Sequence, residues 1–153
     1  MAGTYLPARL LDLCTACCNG VTGIQAYQGR KVWNETDSVE NEVRGLVAET
    51  QGRMWLWIYK RESQTYPWQP FSVQIQAELL LRLDNATASV CDNLYDTVEK
   101  VCEVMENNTT FTAVPAVPMG LTWEQVNEGT LPEDNVARFR LTCNYKVGPA
   151  CEI

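Results

Sequence analysis

Apolar and polar positions alternate along residues 71–83. Phe71, Val73, Ile75, Ala77, Leu79 and Leu81 share one parity, and Ser72, Gln74, Gln76 and Glu78 share the other. A period of two is that of a strand with one face toward a core. From 86 to 106 the apolar period becomes helical. Leu94, Val98, Val101 and Met105 fall on one side at 100° per residue, flanked by Val90, Cys91 and Cys102, which predicts an amphipathic helix. Alternation returns over 136–147. There Ala137, Phe139, Leu141, Cys143, Tyr145 and Val147 are set to face inward, and Arg138, Arg140, Thr142, Asn144 and Lys146 outward.

The stretch RMWLWIYKR (53–61) is apolar on both parities, with Trp55, Trp57 and Tyr59 on one and Met54, Leu56 and Ile58 on the other. Such a strand is central in its sheet, or turns one face to another subunit. With a proline-containing loop at 63–70 it predicts an antiparallel hairpin with 71–83. Leu6, Leu10, Leu13, Cys14 and Cys17 make a helical stripe over 7–18. Pro7 suits its start and Asn19-Gly20 its stop. Residues 21–33 have room for a short strand. Residues 36–50 carry Val39, Val43, Leu46 and Val47 at helical spacing behind a possible cap at Asp37 or Ser38, although Gly45 weakens the pattern. The stretch 107–135 reads as a long link with room for a short strand in 110–114 or 117–126. Links of that length are uncommon in compact domains and often functional. The expected architecture is one domain over 1–153, an α/β fold of the α+β type. A mostly antiparallel sheet of about four to five strands would be covered by two or three helices.

Composition narrows the chemistry. The chain is 46% apolar and 20% charged, enough for a real core and unlike a disordered chain. Net charge is -7, and Arg30-Lys31 and Lys60-Arg61 are the local basic clusters. That argues against gripping nucleic acid as the main task. There is no histidine, so the commonest general base and metal ligand is missing. No run reaches the roughly 20 apolar residues of a membrane span, and residues 1–20 do not read as a secretory signal. A soluble protein made in a cytosol is expected.

The seven cysteines, with sequons at Asn34, Asn85, Asn107 and Asn108, leave open a secreted, disulfide-stabilised binding domain. Cys14, Cys17 and Cys18 lack the second pair, or the histidines, of a structural zinc site. They lie in the helical pattern of 7–18, and Cys143 has the inward parity of its strand. Cysteine as a small core hydrophobe accounts for all of these, while Cys151 has no such explanation. The chain contains no P-loop, no glycine-rich dinucleotide motif and no nucleophile elbow, and a cysteine nucleophile would have no histidine base. No enzymatic activity, cofactor or metal is expected.

The predicted helix at 86–106 has a second side. Asp92, Asp96, Glu99, Glu103 and Glu106 fall within about 40° of one line opposite the apolar stripe. The pairs Asp92/Asp96 and Glu99/Glu103 are like-charged at i,i+4, each costing about 0.2–0.5 kcal/mol, and Lys100 partly offsets them. The stripe is either a solvated face or one turned to a particular surface or channel.

In element order, LPARLLDLCTACC (6–18), RMWLWIYKR (53–61), FSVQIQAELLLRLD (71–84), DNLYDTVEKVCEVM (92–105) and RFRLTCNYKV (138–147) resemble the tail terminator proteins of long-tailed bacteriophages. Residues 30–52 and the cysteine content depart from that pattern. The resemblance implies a structural virion protein of the tail and neck, made in the host cytoplasm. It would form a homo-hexameric ring that caps the tail tube, ends tube polymerisation and joins tail to head. The partners implied are further copies of the chain, the tail tube protein and a head completion or neck protein. DNA would pass through the lumen without sequence-specific binding, and no membrane is involved. Under this reading Asp92, Asp96, Glu99, Glu103 and Glu106 are candidates to face the lumen, where like charge repels DNA. Trp55, Trp57, Tyr59, Met119 and Trp123 are candidates for the ring interface, with ordinary core packing as the alternative for the tryptophans. Another neck ring component, a head-tail connector or tail completion protein, fits the same features.

Overall fold

The switch between periods two and 3.6 is realised as seven elements. The computed structural model describes residues 6–21, 23–30, 52–62, 69–82, 88–106, 116–126 and 136–148. It describes their side chains too, save those of Leu6, Arg82, 88–94, Val136 and Ala137. In chain order the elements are α1 (Leu6–Asn19), β1 (Ile24–Gln28), β2 (Gly52–Arg61), β3 (Phe71–Arg82), α2 (Ala88–Met105), β4 (Ala116–Gln125) and β5 (Val136–Val147). The strands form one sheet in the order β1-β2-β3-β5-β4. Every pair is antiparallel except β1 and β2. The fold is α+β, with a mixed five-stranded sheet and two described helices. The predicted helix at 36–50, Cys151 and the four sequon asparagines lie outside the described residues.

The helical stripes and inward strand positions meet in one core. Leu10, Cys14 and Cys18 of α1, with Val98, Val101, Cys102 and Met105 of α2, pack on Met54, Leu56, Val73, Ile75, Ala77, Leu79, Phe139, Leu141, Cys143 and Tyr145. The alternation of β3 and β5 is register-matched, Ile75 opposite Cys143, Ala77 opposite Leu141 and Leu79 opposite Phe139. Both strands therefore turn their apolar rows to the helices. Gly52, paired with Leu81, leaves no room for a side chain between β2 and β3. A Cβ there would lie 2.4 Å from Leu81 Cδ2 and 2.8 Å from the Leu80 carbonyl, so only glycine fits.

Tyr145 ties the layers together. Its hydroxyl donates to the Met105 carbonyl at 2.5 Å, one of the last four carbonyls of α2 that has no partner within the helix. With that proton engaged, the Cys14 thiol, 3.3 Å from Tyr145 Oη, donates to the same oxygen. A single buried hydroxyl thus joins α1, α2 and β5.

Two expectations about the other face of the sheet are corrected. Glu78 and Arg138 were set to point outward into water. They instead form an ion pair at 2.7 Å, with side chains only 5% and 11% exposed. Trp55 and Leu80, on the same face by register, are also buried. A charge in such surroundings has to be paired, and the Arg138 guanidinium answers the Glu78 carboxylate. Toward the other end this face does open to solvent, at Lys60, Ser72, Asn144 and Lys146. Between Gln74 and Asn144 an amide hydrogen bond of 2.8 Å crosses the strands there.

The stretch expected to be a long link contains β4, ten residues paired with β5 along its whole length. A register shift between Pro118 and Gly120 accommodates Met119 as an extra residue. Gly120 has φ +150°, a conformation that side chains disfavour.

Candidate interaction surfaces

α2 presents its acids as predicted. Asp96, Glu99, Glu103 and Glu106 are exposed, while Val98, Val101, Cys102 and Met105 are buried. Asp92 lies on the same helix by backbone, but its side chain is outside the described residues. Lys100 is exposed among the acids. At one flank Thr97, Lys100, Glu103 and Val104 face Cys17, Gly20 and Val21 across a groove of about 550 Å³. At its rim α1 ends at Asn19, and the Gly20 N–H caps the Ala16 and Cys17 carbonyls.

The candidate aromatics separate into two groups. Trp55 is 8% exposed and stacks on Tyr27 at 6.1 Å. Trp57 is half-buried with Arg30 5.5 Å above its ring. These two belong to the packing of the chain itself. Tyr59, where the β2 register shifts, is 47% exposed, with Lys60 5.4 Å from its ring centre.

Met119 is 65% exposed and Trp123 38%, both on β4. Trp123 packs edge-on against Phe139 at 5.6 Å and lies 6.0 Å from Tyr95 of α2, which in turn is 6.2 Å from Phe139. Tyr95 also donates to Gln125 Oε1 at 3.3 Å. This three-ring cluster pins β4 to α2. Tyr95 was not singled out in the sequence, yet its place three residues before Val98 puts it at the margin of the apolar stripe. Val117 (51% exposed) was also missed, because it belongs to the first half of a strand, where no alternation announces it.

The thiols are set for packing. Cys14, Cys17, Cys18, Cys102 and Cys143 are free, and all but Cys17 are buried. Burial pushes Cys14 and Cys102 up to about 12 and Cys143 up to about 11, and raises Cys18 and Tyr145 as well. A thiol held this firmly in its protonated form is a poor nucleophile and a poor metal ligand. Among the described residues no three acidic or thiol groups are arranged to hold a metal ion. No described helix is long and apolar enough to cross a membrane.

The described residues present an acidic helix face and an exposed strand carrying Val117, Met119 and Trp123. No family model and no curated protein matches the chain.

Proposed function

We propose that the chain is a ring-forming structural subunit of a phage tail, acting as the terminator that caps the tail tube and joins it to the neck. The observation that carries this reading is the exposed acid line of α2, Asp96, Glu99, Glu103 and Glu106. It runs along one helix face with its apolar side anchored in the core. In a ring it would line the lumen, where a negative wall repels DNA and lets it slide. The resemblance of the element order to tail terminators supports the reading, as do the outward Tyr59, Met119 and Trp123 as interface anchors.

Negative-stain microscopy tests it. The purified protein, alone or with its tube protein, forms hexameric rings or caps on tube ends. A strictly monomeric protein that neither binds nor caps tubes overturns the reading. The lumen assignment has its own check: the double substitution Asp96→Lys, Glu99→Lys lowers infectivity while leaving the thermal melt in place. An unchanged titre returns this face to plain solvation.

A further inference from the structure

The two edges of the sheet are built differently. At β1, the Ile24 N–H donates to the Val21 carbonyl at 3.0 Å and the Ala26 N–H to Asn19 Oδ1 at 3.1 Å. These are the groups that alternate with those bound to β2, and the chain closes them with its own α1 end. At β4, the Val126 N–H bonds to the Arg138 carbonyl at 2.7 Å. By the two-residue repeat of an antiparallel ladder, Glu124 and Thr122 also bond inward to β5. Leu121, Trp123 and Gln125 then direct their N–H and C=O groups outward. Among the described residues β4 pairs with β5 alone.

Exposed edges are normally blunted by lysine, proline or a bulge. Pro118 and the Met119 bulge do this for the first half of β4. Beyond Gly120 neither device appears, and the one charge, Glu124, sits opposite Arg140 on the face away from the helices.

We infer that the Leu121–Gln125 half of β4 is a docking edge for an extended strand of a partner protein, added by backbone pairing. Donors and acceptors repeating every second residue are matched by an extended chain and by no compact ligand. The charge of the incoming strand follows from its neighbours. On the helix side it would lie beside Trp123 and Tyr95, with Glu99 one turn on from Tyr95 along the same flank of α2, on a chain of net charge -7. An uncharged or basic strand is accepted there and an acidic one repelled. The inference does not rest on ring formation, since a monomer could capture such a strand equally well.

The probe is a synthetic peptide with the β5 sequence, VARFRLTCNYKV, carrying Cys143→Ser. It has the alternation that pairs with β4, three basic residues and no acidic one. Two-dimensional NMR with hydrogen exchange on the free protein gives fast exchange at the Leu121, Trp123 and Gln125 amides and slow exchange at Thr122 and Glu124. Adding the peptide slows the three outward amides about tenfold or more. A peptide with its three basic residues replaced by glutamate binds at least about tenfold more weakly. Gln125→Pro removes one outward donor, leaves the inner ladder intact and weakens binding to a similar degree. The inference fails if the three outward amides are already protected in the free protein, a result that needs no variant. It fails equally if the peptide does not bind, if protection appears elsewhere, or if Gln125→Pro binds as the wild type does.

Discussion

β3 and β4 flank the same strand, β5, both antiparallel to it, and end in opposite environments. β3 is buried along its helix-facing row from Phe71 to Leu81, and even its other face holds buried Glu78 and Leu80. β4 has seven of its ten residues exposed. The difference is one of neighbours. β3 has strands on both sides and helices above it, so each apolar residue removes area from water at roughly 25 cal/mol per Å². Among the described residues β4 has a strand on one side only and touches α2 through Trp123 and Tyr95. One strand lies at the centre of the core; the other keeps most of its surface in water.

That contrast can be broken most forcefully at β3. Leu79→Ala empties a fully buried site and is expected to cost about 2–5 kcal/mol in urea melts. A loss below about 1 kcal/mol would mean the centre of the sheet is not where stability resides. Tyr145→Phe is next. It leaves the Met105 carbonyl buried without its donor and the Cys14 thiol without its acceptor, at an expected cost of about 1–3 kcal/mol. Wild-type stability in this variant would show that the layers hold together without the shared hydroxyl.

Alkaline pH acts on the same region. Cys14, Cys102 and Cys143 hold their protons up to about 12, 12 and 11 against an ordinary 9.0, because burial disfavours the thiolate. The unfolded chain releases those protons first. The stabilisation is therefore complete below about pH 9 and is lost as pH climbs through 11 and 12. The melting temperature should hold from pH 7 to about 8.5 and then fall steeply. A flat profile to pH 11 would show that these thiols are wetter than their packing indicates. The smallest effect belongs to β4: Met119→Ser should change the stability of the isolated chain by less than about 0.5 kcal/mol. A large loss there would erase the distinction between the two strands.

Residues that touch the core announced themselves in the sequence. The alternation of β3 and β5, the stripes of α1 and α2, and the acid line opposite the stripe of α2 all follow from local periodicity, because burial on one face imposes it. β4 was only a possible short strand within a link. AVPMGLTWEQ alternates only over Leu121–Glu124, because its first half is broken by Pro118, the extra Met119 and Gly120 and most of its residues are exposed. Tyr59, Met119 and Trp123 were legible as aromatic or apolar residues in unusual places. Their exposure was not, and neither was the burial of Trp55, which has the same composition around it. Asn19 read as a helix stop, but its second task of closing the β1 edge depends on β1 lying beside the end of α1.

The sequence by itself determined where α1, α2, β2, β3 and β5 form and which side of α1, α2, β3 and β5 faces the core. A one-residue slip would turn every apolar row to water, so the hydrophobic pattern leaves little choice. Tertiary structure alone decided the strand order, the parallel β1–β2 pair, the Glu78–Arg138 ion pair and, among the described residues, the contrast between the β1 edge capped by the end of α1 and the unpaired edge of β4. These depend on which elements become neighbours across long stretches of chain, and local periodicity carries no record of that.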